Sequence, residues 1–263
     1  MKRYAVFGNP IAHSISPRLH NAAFGELGEC AFYGRVLLDF DEDLLAKFKR
    51  LGLSGANVTV PFKETILDKC DYLDPAAREI GSVNTIVRRV DGIHAYNTDA
   101  PGFMRAIEEF GQVESALILG AGGTARALSY ALSRAGAHVS VLNRSEGRAA
   151  AFAKFDFFTP ETFANSNLKY DLIVNTTPAG LVNSELPFSR DIMERVFEGA
   201  KFAFDAVYGR NTPFLAFARD FGLRAKDGKD MLLFQAVLAF LEFTDKRFKF
   251  ESVERAMRSA IDL

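Results

Sequence analysis

The sequence predicts an α/β protein of two domains, organised around largely parallel sheet structure. Three observations predict it. Short β-branched runs alternate with helical patterns along almost the whole chain. Near residue 100 the chain changes character, from segments rich in Ser, Asn and Thr to a strand–turn–helix unit. That unit carries a glycine-rich turn, Gly120-Ala121-Gly122-Gly123.

The expected strands, in order, are Tyr4–Phe7, Tyr33–Leu38, Ala56–Val60, Val83–Arg88, Ala116–Leu119, His138–Leu142, Leu172–Asn175 and Phe202–Val207. Asp91-Gly92 suits a tight hairpin turn and separates Val83–Val90 from Ile93–Asn97. Ser16-Pro17 reads as a helix start, with Ser as N-cap and Pro at the first helical position. Pro61 is expected to open another helix, with Lys63 in its first turn. Asp99 is a candidate N-cap for the helix that follows it. The C-terminal part reads as Thr212–Phe221, Lys229–Thr244 and Phe250–Ile261, mostly helical. The expected domains are 1–100 and 101–235. Helices within 236–263 would pack back on the first domain, leaving a cleft between two lobes, a common place for a small-molecule site.

Composition narrows the function classes. A chain of 263 residues with 48% hydrophobic and 25% charged residues is globular rather than disordered. Its 33 acidic and 32 basic residues give a net charge of −1, without the basic excess of a nucleic-acid binder. That balance suits a monomer or a homodimer. Cys30 and Cys70 are too few for a disulfide framework or a four-cysteine zinc site; a single bridge stays open, and the usage fits a reducing compartment. The longest apolar run, Met231–Phe243, contains Gln235 and Glu242 and falls short of the roughly 20 residues that span a bilayer. Gly8, Asn9 and Pro10 interrupt the N-terminus before a signal-peptide core can form. No membrane association is expected, and a cytoplasmic location is. No metal is expected either: His13 has no partner at ligand spacing and reads as structural.

The segment Ala116-Leu-Ile-Leu-Gly120-Ala-Gly122-Gly123-Thr-Ala125 matches G-x-G-x-x-A between a strand and a helix. Gly120 permits the tight turn, Gly122 lets backbone approach a pyrophosphate, and Ala125 lets helix pack on sheet. Amides at the helix start then face the phosphates. The competing reading is a purely structural glycine turn. The following strand, His138–Leu142, ends at Asn143-Arg144 with Arg148 one turn on. NAD-binding units place a carboxylate there, for the ribose 2′-hydroxyl. A guanidinium instead suits a 2′-phosphate, so NADP is expected over NAD. The alternative is a pair of solvated arginines beside Glu146.

In the first domain, Ser14 and Ser16 place two hydroxyls beside a helix start, a site suited to a carboxylate. On a strand, Asn57 and Thr59 share one face. Lys63 stands at a helix start, where acids are preferred, and the bland reading is a surface lysine. Asn84 and Asp99 add an amide and a carboxylate at element ends. A polyhydroxylated carboxylate would satisfy this set.

The ordered series HSISP, GANVTVPFK, GSVNTI, NTDAPG, GAGGTARA, NRS, NTTPAG, FDAVYGR and DGKDMLLFQ resembles the shikimate dehydrogenase family over essentially the whole chain. The resemblance implies a substrate domain followed by a Rossmann-type, doubly wound NADP(H)-binding domain. It implies reduction of 3-dehydroshikimate to shikimate in aromatic amino-acid and chorismate biosynthesis. By resemblance, Ser14 and Ser16 bind the substrate carboxylate. Asn57, Thr59, Asn84, Asp99, Tyr208 and Gln235 contact ring hydroxyls or that carboxylate, and Lys63 is the general acid/base paired with Asp99. Gly120, Ala121, Gly122, Gly123 and Thr124 hold the pyrophosphate. Asn143, Arg144 and Arg148 take the adenosine ribose and its phosphate. Thr177, Ala206, Gly228 and Met231 line the nicotinamide side. Thr124, Ser145, Phe62 and Ala206 depart from the commonest residues of the pattern, and none of them removes a catalytic group.

Physical reasoning supports two of these roles. Gln235 sits in an apolar helical stretch, where an unpartnered amide costs about 1–3 kcal/mol; a neighbouring backbone carbonyl or a substrate hydroxyl would meet the need. Tyr208 ends a strand where open sheets bind ligands. Two rival readings remain: a dual quinate/shikimate dehydrogenase, possibly using NAD, and a non-catalytic NADP-sensing protein on the same fold. The arginine pair speaks against NAD, and the joint presence of Lys63 and Asp99 against a non-catalytic sensor.

Overall fold

The computed structural model describes residues 1–181 and 183–261. The chain divides into two compact units, Met1–Gly102 with Leu233–Leu263, and Phe103–Leu232. The first unit contains β1 (Lys2–Gly8), α1 (Ser16–Glu26), β2 (Ala31–Leu37), α2 (Leu44–Arg50), β3 (Gly55–Val58), β4 (Tyr72–Leu73), α3 (Pro75–Ile80), β5 (Thr85–Arg89), β6 (Gly92–Tyr96) and the start of α4 (Asp99–Ala106). Its sheet is mixed, in the order β2-β1-β3-β5-β6-β4. β1 pairs in parallel with β2 on one side and β3 on the other. β5 runs antiparallel to β3 and forms the expected hairpin with β6, Arg89 opposite Gly92. The carboxyl ends of β1 and β3 thus flank a reversal of strand order, where open α/β sheets bind ligands.

Local chemistry sets these boundaries. Asp43 and Asp74 cap α2 and α3, accepting from Ala46 N at 2.8 Å and Ala76 N at 3.0 Å. Two expected helix starts are corrected. Ser16 is the first residue of α1 and not its cap; its N–H points back to Ser14 Oγ at 3.4 Å. Pro61 opens a run of turns and then a single 3₁₀ turn, Leu67–Lys69, instead of an α-helix. The reason is the Lys63 carbonyl, which accepts from Val83 N at 2.8 Å and is lost to an i+4 amide. β3 also ends at Val58, two residues before the expected Val60.

The second unit continues with β7 (Ser115–Leu119), α5 (Gly123–Arg134), β8 (His138–Leu142), β9 (Asp156–Phe158), α6 (Pro160–Ala164), β10 (Leu172–Asn175), α7 (Arg190–Phe197), β11 (Phe202–Asp205), α8 (Pro213–Asp220) and β12 (Arg224–Lys226). All its strands are parallel, in the order β12-β11-β10-β7-β8-β9. This is the doubly wound Rossmann arrangement, with its switch point between β7 and β10. The central strands β7 and β10 are buried along almost their whole length, as a sheet covered on both faces requires. β4, β9 and β12 escape sequence reading because two or three residues show no alternation. α9 (Lys229–Phe243) and α10 (Phe250–Ile261) complete the chain.

Part of the heavy phenylalanine usage is structural. Phe24, Phe240 and Phe243 surround Tyr4, His20 and Tyr33 in the first unit. Phe197, Phe214 and Phe217 anchor the core under α7 and α8. Both cysteines are free thiols. Among the described residues no helix is long and apolar enough to cross a membrane.

Candidate active site

The carboxyl ends of β1 and β3, the amino end of β5 and the start of α4 bring the polar residues of the first unit together. Lys63 donates from Nζ to Asp99 Oδ2 at 2.6 Å. Both side chains are about nine-tenths shielded, at 10% and 8% exposure. A buried ion pair of this kind costs desolvation and is weak support for stability, which favours a chemical role. Asp99 is therefore no helix cap. It is the first residue of α4, its carboxylate is engaged by side chains, and Asn97 Oδ1 accepts from Ala100 N instead, at 3.1 Å.

Asn84 orients Asp99. Its Nδ2 donates to Asp99 Oδ1 and to Thr98 Oγ1, both at 2.9 Å, and reaches Gln235 Oε1 at 3.5 Å. Its Oδ1 accepts from Thr98 N at 2.8 Å. Asn57 is buried on β3 and bonds to Tyr33, Asn84 and Thr85. Thr59, one residue beyond β3, is partly exposed, and its hydroxyl makes no hydrogen bond among the described residues. Ser14 donates to Ser16 Oγ at 3.2 Å at the start of α1, which has no side-chain cap. The Ser16 hydroxyl is the donor left for an anion here, since the Ser16 N–H turns to Ser14 Oγ, Pro17 has no N–H and the Arg18 N–H donates to Ile15 O. His13 is exposed, and among the described residues no group of three metal-ligating side chains forms.

The second unit gathers the other set at the ends of β7, β8, β10 and β11. Gly120 has φ +99°, and a Cβ there would stand 2.9 Å from Thr176 Oγ1. Only glycine fits both demands. A Cβ on Gly122 would enter open space, and Gly122, the residue before α5, offers no side chain to cap it. Bare backbone leading into an uncapped helix fits a dinucleotide pyrophosphate, with Ala125 fully buried against the sheet. Asn143 donates to Ser145 O at 2.9 Å, closing the turn that carries Arg144; Arg144 and Arg148 are both exposed.

Thr177 follows β10 and donates to Asn175 Oδ1 at 2.7 Å, and Asn175 Nδ2 donates to Asp205 Oδ1 at 2.9 Å. Burial pushes the Asp205 carboxyl up to about 6, against three donors that favour its charged form: Thr212, Val207 N and Asn175. Gly228 lies so close to Ala206 that a Cβ would approach Ala206 O to 2.5 Å. Met231 is buried one turn further along. Tyr208 belongs to this unit, whereas Gln235 joins the first-unit residues around Asn84. Sequence reasoning missed Thr98, Thr85, Asn175 and Asp205. All four sit beside residues or within motifs already singled out, but only tertiary contacts reveal their bonds.

Residues 6–86 match the family model described as the shikimate dehydrogenase substrate binding domain. The chain is 42% identical to the NADP(+) shikimate dehydrogenase of Helicobacter pylori, over 98% of each chain. It is 40% identical to that of Moorella thermoacetica, over 98% of this chain and 92% of the relative. A shikimate dehydrogenase structure from Thermus thermophilus, solved with NADP(H) and shikimate, superposes with a TM-score of 0.84 at 34% identity, covering 99% of this chain and 100% of that one. The Aquifex aeolicus shikimate dehydrogenase structure gives the same TM-score and identity over 98% of each chain.

Proposed function

The chain belongs to the shikimate dehydrogenase family, and from that premise we propose which of its residues carry the NADP(H)-dependent interconversion of 3-dehydroshikimate and shikimate. The observation that carries the reading is the shielded Lys63–Asp99 pair, 2.6 Å apart and held by Asn84.

Ser14 and Ser16 anchor the substrate carboxylate with their hydroxyls. Thr59, Asn84 and Gln235 recognise ring hydroxyls. In the second unit Gly120, Ala121, Gly122, Gly123 and Thr124 cradle the pyrophosphate. Asn143 shapes the turn on which Arg144 and Arg148 meet the ribose 2′-phosphate, which a carboxylate would repel. Thr177, Ala206, Gly228 and Met231 form the nicotinamide wall. When bound, NADPH supplies the hydride. Lys63 gives its Nζ proton to the C3 oxygen as the ketone becomes an alcohol, and takes it back in the reverse direction. Asp99 holds the ammonium in place and Asn84 holds Asp99, so the donor is aligned before the substrate arrives.

The test is spectrophotometric. Absorbance at the NADPH band is followed with shikimate and with quinate, each with NADP and with NAD. The reading requires strong turnover with shikimate and NADP; turnover with NAD alone would contradict it.

A further inference from the structure

Tyr33 is fully buried on β2 and is gripped by two consecutive residues of α1. Asn21 brackets its backbone: Asn21 Nδ2 donates to Tyr33 O and Tyr33 N–H donates to Asn21 Oδ1, both at 2.9 Å. His20 lies flat on the phenol ring, with centroids 4.3 Å apart and planes 2° from parallel. The hydroxyl donates to Asn57 Oδ1 at 2.6 Å. Burial holds this phenol well above its ordinary range, so it stays protonated and stays a donor.

From Asn57 the bonds run on to the reacting pair. Asn57 Nδ2 donates to the Asn84 carbonyl at 3.2 Å and to Thr85 Oγ1 at 3.0 Å. Thr85 Oγ1 donates to Asn84 Oδ1 at 3.1 Å, Asn84 Nδ2 to Asp99 Oδ1 at 2.9 Å, and Lys63 Nζ to Asp99 Oδ2 at 2.6 Å. The directions are fixed by backbone groups with one possible role. The Asn84 carbonyl can only accept, so Asn57 presents Nδ2 to it and Oδ1 to Tyr33. The Thr98 N–H can only donate, at 2.8 Å to Asn84 Oδ1, so Asn84 presents Nδ2 to Asp99. Both Asn57 amide hydrogens are thus engaged inward, toward the reacting pair.

We propose that Tyr33 is a positioning residue for the reduction: it ties α1, which opens on Ser16, to the Asn57–Thr85–Asn84 amides and hydroxyl that set Asp99 and Lys63. The proposal rests on reading Ser16 as carboxylate anchor and Lys63–Asp99 as the proton-handling pair. It makes one hydrogen bond the gauge between the anchored end of the substrate and the reacting end. A core aromatic with no such role would be served equally well by phenylalanine.

Tyr33→Phe removes one oxygen and keeps the stack on His20. At a temperature where its melting curve shows the folded state, kcat falls about tenfold, shikimate KM changes less than about threefold and NADP KM is unchanged. In an Asn57→Ala background, where the link is already cut, the same substitution changes kcat less than about twofold. Thr85→Val lowers kcat and Thr85→Ser restores it. Parental kcat in Tyr33→Phe, or a loss that adds in full to that of Asn57→Ala, overturns the proposal. Lys63→Ala run alongside separates the two claims. Parental turnover there removes the reading underneath; a silent Tyr33→Phe beside a crippled Lys63→Ala removes the proposal alone.

Discussion

A Cβ placed on Gly102 would stand 2.8 Å from the backbone nitrogen of Gln235 and 3.1 Å from its Cα. α4 and α9 therefore meet backbone against backbone at this point, three residues from Asp99. The contact sets how far Gln235 stands from Asn84, now 3.5 Å away. Two effects compete in Gly102→Ala. Helix propensity favours alanine by about 1 kcal/mol. Overpacking against immovable backbone costs about 1–3 kcal/mol. Overpacking wins, so chemical denaturation should show a net loss of about 1 kcal/mol. Shikimate KM should rise as Gln235 is pushed away. A stabilised variant with parental KM would show that α9 yields freely.

Cofactor choice should sit in two exposed arginines. Arg144→Ala/Arg148→Ala removes the guanidinium groups assigned to the 2′-phosphate. Losing charge-assisted bonds worth about 1.5–3 kcal/mol each should raise the NADPH KM by roughly 10²-fold, with much less effect on NADH. An unchanged NADPH KM would return both arginines to plain surface roles.

His20 gives the first unit an acid sensitivity. Its ring is fully buried, neither nitrogen has a hydrogen-bond partner, and burial lowers its pKa to about 3. The unfolded chain binds a proton near pH 6.5 while the folded protein does not. The stability it contributes is therefore complete above pH 6.5 and declines as pH falls towards 3. At pH 5 the loss is about 2 kcal/mol. His20→Phe keeps a flat ring on Tyr33 and removes the titration. Urea unfolding at pH 7.5 and pH 5 should show a smaller drop in the variant. Equal drops in both proteins would mean that His20 is solvated at low pH.

Much of the candidate site stood out in sequence because its polar residues lay where periodicity or capping left them unexplained. Ser14, Lys63, Asn84 and the Gly120–Gly123 turn are of this kind. Capping rules misread two other positions. Ser16-Pro17 and Asp99 both resemble caps, yet Ser16 pairs locally with Ser14, two residues back, and Asp99 turns to a tertiary partner, Lys63. The helix expected at Pro61 failed for a related reason: a strand-side amide, Val83 N, takes the Lys63 carbonyl. Tyr33 and Thr85 read as ordinary strand residues, and nothing in their spacing marks the bonds they make across three strands.

The most direct measurement is steady-state turnover of Lys63→Ala with 3-dehydroshikimate, alongside its NADPH KM. Loss of a positioned general acid predicts a fall of roughly 10²–10⁴ in kcat with little change in the NADPH KM. Parental turnover in Lys63→Ala would contradict the account.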